Sequence, residues 1–260
     1  MDAVRRFALL VAAPEEDIDL AEAALTIASA ADPDLDVDEW LEAIDGLARG
    51  IDPTIQDLRR RLFAELGFRG NSVDYQEPEN SYLHRVVERR MGIPITLSVL
   101  TMEVGRRAGV RLEAIGMPGH FLVRDPATAT LYDPFNGGVA VDIVDCERLF
   151  RSATGIGPEV RFGEHLLPVA SPTEILTRML NNLRAIFGTI EDPWSLEWAM
   201  RMRLALPEAE PFDIVELGQA IAKQGRFLDA ATEMESYATT DPDNAEALEL
   251  AARSMRARLN

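Results

Sequence analysis

Two short stretches carry a histidine and an aspartate that can share a proton. "GMPGHFLVR" holds His120 and "LYDPFNGG" holds Asp133, each on a strand-like run. A hairpin loop of two or four residues centred on Pro126-Ala127 would set the two directly opposite, whereas one of three or five would not, and cross-strand partners keep their Cβ atoms about 4.5–5.5 Å apart. At that range a carboxylate orients an imidazole and stabilises its charged form, which suits the ring to general acid–base work. Pro118-Gly119 lets a backbone or ligand come close to His120, and Asp133-Pro134 ends its strand at a loop. The same two residues also fit a structural role, as a buried histidine satisfied by an aspartate.

Covalent chemistry needs a nucleophile within reach of such a base. The stretch "RRMGIPITLSVLTMEVGRRAGV", residues 89–110, reads as a loop entering a helix. Pro94 marks the first turn, where its missing N–H would have no intrahelical partner anyway. Leu97, Leu100, Val104 and Ala108 form the stripe to be buried. Thr96 and Ser98 are the hydroxyls near the helix start. Ser98 shares the face of Pro94 but lies one turn, about 5.4 Å, further on. Thr96 would need an irregular first turn to reach that cleft, and both hydroxyls also read as local helix hydrogen bonders. The single cysteine, Cys146 in "VDCERLF", reads as a small buried group on a later helix.

The bulk composition narrows the classes. Of 260 residues, 47% are hydrophobic and 27% charged, as in a folded soluble protein. No apolar run approaches the roughly 18 residues that cross a membrane. "VRRFALLVAAPEED" opens with two arginines and a short apolar run, and reads as an amphipathic helix rather than a signal peptide. The net charge of −18, from 44 acidic against 26 basic residues, repels a phosphate backbone, so nucleic acid is not an expected partner. One cysteine and three histidines without paired ligand spacing give no metal motif, and no phosphate or dinucleotide loop is present. No cofactor is expected, and the expected location is the cytoplasm.

The elements that must position these residues follow a simple order. Residues 14–68 read as three helices, "PEEDIDLAEAALTIASAA", "DPDLDVDEWLEAIDGLARG" and "DPTIQDLRRRLFAELG". A loop rich in turn formers follows, and Asn80 or Ser81 is placed to cap "SYLHRVVERRMG". After the helix at Pro94 come four strand-like runs, "RLEAIGM", "HFLVR", "TLYDPF" and "VAVDIV". Local helices followed by a small antiparallel sheet predict an α+β fold. From residue 169 onward the pattern is all-helical: 174–187, 193–206, 212–223, 227–239 and 245–259. The expected division is 1–168, made of a helical lead-in to residue 68 and a core of 69–168, followed by 169–260.

"LGFRGNSVDYQEPENSYLHRVVERRMGIPITLSVL", "GMPGHFLVR" and "DPFNGG", in this order, resemble the SirB1 family of the transglutaminase-like superfamily, whose fold is related to papain-like cysteine proteases. The resemblance covers about residues 7–165. It implies a core helix packed on an antiparallel sheet, with a cysteine at the helix start, a histidine on one strand and an aspartate on the next. His120 and Asp133 match the last two, and Pro94 stands at the cysteine position, so cysteine-peptidase or transglutaminase activity is not expected. On the same analogy Asn80, Arg90 and Glu103 are polar candidates for the cleft, although capping or surface roles also fit them. In the tail, Gly218, Ala222, Gly225, Phe227, Ala230 and Pro242 resemble one tetratricopeptide repeat. The resulting expectation is a peptide- or protein-binding or regulatory module that makes contact through its cleft and helical tail. The alternative is an amide or ester hydrolase or transferase in which His120 and Asp133 activate water or a hydroxyl.

Overall fold

Acidic and hydroxyl side chains start the first four helices of the computed structural model, which describes residues 2–207, 209–240 and 242–258. Asp2 caps α1 (Ala3–Val11), Asp19 caps α2 (Leu20–Ala31), Asp36 caps α3 (Val37–Ala48) and Thr54 caps α4 (Ile55–Arg59). In each, a side-chain oxygen accepts one of the otherwise orphaned N–H groups of the first turn. After α4 the helix widens into π geometry over Arg60–Glu65. The two-residue strand β1 (Arg69–Gly70) then pairs in parallel with β2 (Met91–Gly92), which the sequence pattern had not suggested. Between them lies α5 (Leu83–Arg89). Neither Asn80 nor Ser81 caps it; both sit in the preceding 3₁₀ turn, and Tyr82 is the N-cap without a side-chain bond.

The central helix α6 (Pro94–Arg107) is buried on nearly every side from Pro94 to Val99, far beyond the expected stripe. Such a helix needs neighbours all round. They are α2, α3 and α5 together with a four-stranded antiparallel meander of β3 (Glu113–Ile115), β4 (Leu122–Arg124), β5 (Leu131–Asp133) and β6 (Val139–Val141). The last expected strand is shorter than its apolar run, because Asp142 caps α7 (Ile143–Thr154) and turns "IV" into helix. Residues 168–170 lie along the free edge of β3, through bonds from Gly116 N to Pro168 O and from Ala170 N to Ala114 O. The chain therefore stays with the sheet as far as α8 (Pro172–Thr189).

The chain divides into one unit of residues 13–179 and another in which α1 joins the chain from Leu180 onward. A cut after residue 168 would place both α1 and the start of α8 differently. The second unit continues with α9 (Pro193–Arg203), α10 (Pro211–Lys223), α11 (Phe227–Thr240) and α12 (Ala245–Ala257); Leu259, the end expected for the last helix, lies outside the described residues. Gly218 allows the α10–α11 approach, since a Cβ there would overlap Met234. Ala222 and Ala230 are buried in the same hairpin region.

His84 on α5 is buried; among the described residues neither ring nitrogen has a hydrogen-bond partner, and Nε2 lies 3.8 Å from Asp32 Oδ2. Burial, reinforced by Arg85, pushes its pKa below the ordinary 6.5 against weaker pulls from Asp32 and Glu88. The unfolded chain then binds a proton that the folded chain refuses, so stability is full above about pH 6.5 and falls as the pH drops below it. His84→Asn should flatten that part of a urea-denaturation profile. An unchanged slope between pH 7 and pH 5 would contradict this account.

Candidate functional site

"MPGH" folds as a type II turn that delivers His120. Pro118 takes the second position, Gly119 the third with φ of +75°, and His120 N–H donates to Met117 O at 3.2 Å. A Cβ on Gly119 would also stand 2.8 Å from the Cβ of Ala153 on α7. Gly119→Ala should therefore cost roughly 2 kcal/mol in a denaturation experiment, from the left-handed backbone and the clash together. A loss below about 0.5 kcal/mol, the size of an ordinary surface change, would show that the turn yields.

Asp133 builds its own loop. Its Oδ1 accepts from Phe135 N–H at 3.0 Å and Asn136 N–H at 3.3 Å, the pattern of an aspartate folding the residues after it. Its Oδ2 accepts from the Asn136 side-chain amide at 2.7 Å and meets His120 Nε2 at 3.0 Å. Asp133 is fully buried and His120 is 7% exposed. Burial pushes the Asp133 carboxyl up, but the bonds from His120 and Asn136 outweigh it and hold the group below its ordinary 3.8. An ionised carboxylate only accepts, so the proton of the shared bond belongs to Nε2. That leaves the lone pair on Nδ1 of a neutral ring. Among the described residues Nδ1 has no partner, and it is not sealed from solvent. A nearly buried imidazole with one supported nitrogen and one open nitrogen can take a proton from a bound molecule or water.

The register that brings the pair together is not the expected one. Val123 pairs with Tyr132 and Arg124 with Leu131, two residues away from the alignment that would face His120 with Asp133. The loop is centred one residue later, with Ala129 at φ of +59° and Asp125 accepting from Ala127 N–H and Thr128. A two-residue slip preserves the side-chain face, so His120, in the turn just before β4, reaches Asp133 as a diagonal neighbour.

Pro94 occupies the first position of α6 and is buried. Both hydroxyls near it are engaged in holding the fold. Thr96 Oγ1 donates to Asn80 O at 2.7 Å, with Ile93 O at 3.2 Å as the alternative acceptor, and accepts from Ile93 N–H at 3.2 Å. Ser98 is fully buried and its Oγ lies 3.4 Å from Phe121 O. The helix start and the histidine loop are linked through β1. Gly70 N–H donates to Phe135 O at 2.9 Å, and Asn71 N–H donates to Gly92 O at 3.0 Å. A Cβ on Gly70 would overlap the Phe135 ring, whose edge-on contact with His120 spans 5.9 Å between centroids.

The side chains of the other polar candidates are held by other partners. The Asn80 side chain donates to Asp74 O at 2.7 Å and accepts from Asn71 at 3.1 Å, stapling the 71–80 loop. Arg90 is exposed at the left-handed end of α5 and donates to Leu66 O. Glu103 is buried two turns into α6 and is paired with Arg106 at 2.9 Å and Arg107 at 2.6 Å. None of the three makes a hydrogen bond with His120 or Asp133. Cys146 packs against Ile115, Met117, Leu122 and Phe150, and burial first, then nearby aspartates, push its thiol up to about 11. In the native protein it should react with a thiol reagent at pH 8 only after unfolding; rapid stoichiometric labelling would contradict its burial.

Three functional neighbours were not among the expected site residues. Asn136 supports Asp133, and Phe135 lies against His120. Arg178 on α8 donates through Nη2 to Met117 O at 2.9 Å and to His120 O at 3.1 Å, so it clamps both ends of the turn. "DPFNGG" hinted at the first two. Arg178 sits in a helical pattern far downstream. Among the described residues no group of three or more His, Cys, Asp or Glu is placed to hold a metal ion, and no helix is long and apolar enough to cross a membrane.

A buried helix with the proline at its start, set beside a histidine–aspartate pair on an antiparallel sheet, has the outline of a transglutaminase-like core, and residues 20–181 match the family model of the Transglutaminase-like superfamily. A UPF0162 protein of Xylella fastidiosa (strain Temecula1) is 32% identical over 243 residues, 88% of this chain and 86% of that protein. A UPF0162 protein of Pseudomonas aeruginosa is 32% identical over 198 residues, 72% of each chain. Human F-box only protein 21 is 35% identical over 135 residues, 48% of this chain and 20% of that protein. The chain therefore belongs to the transglutaminase-like superfamily and, within it, to the UPF0162 proteins. No solved structure gives a significant match.

Proposed function

We propose that this protein is a peptide- or protein-binding module that keeps a transglutaminase-like cleft without its thiol nucleophile, and that it works in the cytoplasm. The observation that carries the reading is the helix start. Pro94 holds the first position, and Thr96 and Ser98 point their oxygens into main-chain partners. The SirB1 resemblance agrees with it, and so does the tetratricopeptide-like look of α10 and α11, which would add a contact surface. A match of 135 residues within a human protein of which they form 20% fits a module that serves inside larger chains.

A second reading rests on one different observation, the open Nδ1 of a ring whose Nε2 is held by a buried carboxylate. There His120 would act as a general base on water, and Asp133 would hold its tautomer. The wild type and His120→Ala, offered the same peptide library with amine donors and followed by mass spectrometry, separate the two. Binding expects retained peptides of unchanged mass, with retention lost in a still-folded variant. New masses formed by the wild type and absent with His120→Ala would overturn the binding reading in favour of hydrolysis or transfer.

A further inference from the structure

Arg178 lies half-buried with its guanidinium 5.0 Å above the Phe121 ring centroid. Its Nη2 is committed to the two carbonyls of the His120 turn, but among the described residues no carboxylate pairs with it. That is unusual company in a chain with 44 acidic residues, where Arg89, Arg106 and Arg107 each hold two carboxylates. Among the described residues its Nε and Nη1 have no hydrogen-bond partner, and they are not closed off from solvent. Tyr75 rests its ring edge-on against Phe135, centroids 6.2 Å apart, and its hydroxyl likewise has no partner among the described residues. Phe135 touches His120 as well as Tyr75. Arg178 in turn holds the main-chain carbonyl of that same His120 at 3.1 Å. Three polar groups without a partner among the described residues, His120 Nδ1, the Tyr75 hydroxyl and the outer edge of Arg178, thus belong to residues linked through the Phe135 ring and the His120 turn.

We propose that the cleft at His120 grips a carboxylate of its ligand through Arg178 and Tyr75, as a peptide C-terminus or an acidic side chain would present it. The inference rests on the cleft being a binding site, as argued above, and adds what it binds. A half-buried guanidinium with free N–H groups gains a charge-assisted bond from a carboxylate that a neutral amide does not give. The phenol supplies a second donor, where the proline at the helix start offers no main-chain N–H of its own. A clamp on the turn alone would need only Nη2.

The chain has three histidines, so imidazole signals can be followed by NMR in the full-length protein. N-acetylglycine and N-acetylglycinamide differ only in the carboxylate. The acid should shift the His120 signals saturably, and the amide should bind about tenfold more weakly. Arg178→Gln and Tyr75→Phe should each remove most of that preference while the Nε2–Asp133 proton signal stays in place, which reports an intact pair. Equal response to acid and amide would overturn the carboxylate assignment and leave the binding cleft standing. Acid binding unchanged in both variants would overturn the roles of the two residues. Silence toward both probes would overturn the inference too, and the cleft would then stand or fall on the peptide library.

Discussion

Replacing Asp133 by alanine will cost the fold about 3–5 kcal/mol, the loss expected when several buried donors lose their shared acceptor at about 1–3 kcal/mol each. Four donors converge on this carboxylate: two main-chain N–H groups, the Asn136 amide and His120 Nε2. The side chain is fully buried, so water cannot replace it cheaply, and each orphaned donor costs about 1–3 kcal/mol before the loop relaxes. Urea denaturation measures this directly. A loss below about 1 kcal/mol, the worth of one ordinary hydrogen bond, would mean that the carboxylate is not the anchor described.

The pH dependence has a definite sign. The folded pKa of Asp133 lies below its ordinary 3.8, so its contribution is complete above that value and is lost as the pH falls through the folded pKa. Asp133→Ala should therefore be less stable at neutral pH yet lose less on acidification. Asp133→Asn is more selective. With its oxygen kept toward the main-chain donors, its amide would face His120 Nε2, and two donors cannot bond. The ring then moves its proton to Nδ1, and the open nitrogen stops being a base. Imidazole nitrogen shifts would report that change in a folded protein.

The sequence made the local chemistry readable and the long-range chemistry unreadable. Proline followed by glycine before His120 specifies a type II turn, and an aspartate before "PFN" specifies a loop that folds back on its own carboxylate; both depend on neighbours within three residues. The hairpin register depended on which residue accepts a positive φ. Ala129 took it, which nothing in an alanine advertises. The pair survived because the error was two residues rather than one, and side chains alternate with period two. Asn80, Arg90 and Glu103 were drawn toward the cleft by analogy, whereas a loop staple, a helix end and an ion-pair cluster hold them. Arg178 could not be foreseen, because its partners are the main-chain carbonyls of a turn 58 or more residues away. Hydrogen bonding to a carbonyl leaves no complementary side chain to read. The extent of burial around α6 was hidden for a related reason, since Thr96, Ser98 and Thr101 look exposed until each hydroxyl is given its carbonyl.

Pro94→Cys will create a thiol of lowered pKa whose reactivity depends on His120. The first position of a helix loses little when proline is replaced, roughly 0.4–1 kcal/mol of unfolded-state restriction, and a cysteine there regains a main-chain N–H. A free cysteine titrates near 8.5, while one at a helix N-terminus beside an imidazolium falls to about 7 or lower. The rate of alkylation against pH should accordingly have its midpoint at or below about 7, and His120→Ala in the same background should raise it by about one unit or more. Cys146, closed off with its thiol pushed up to about 11, leaves the measurement clear. A midpoint near 8.5 that ignores His120 would mean that position 94 does not face the histidine, and the vacancy would have to be sought elsewhere on α6. A His120-dependent midpoint would mean that position 94 and His120 stand as a cysteine–histidine pair would. Loss of the nucleophile would then be the one change separating this cleft from an active one, and Arg178 and Tyr75 would be read as groups that hold a ligand where others cut.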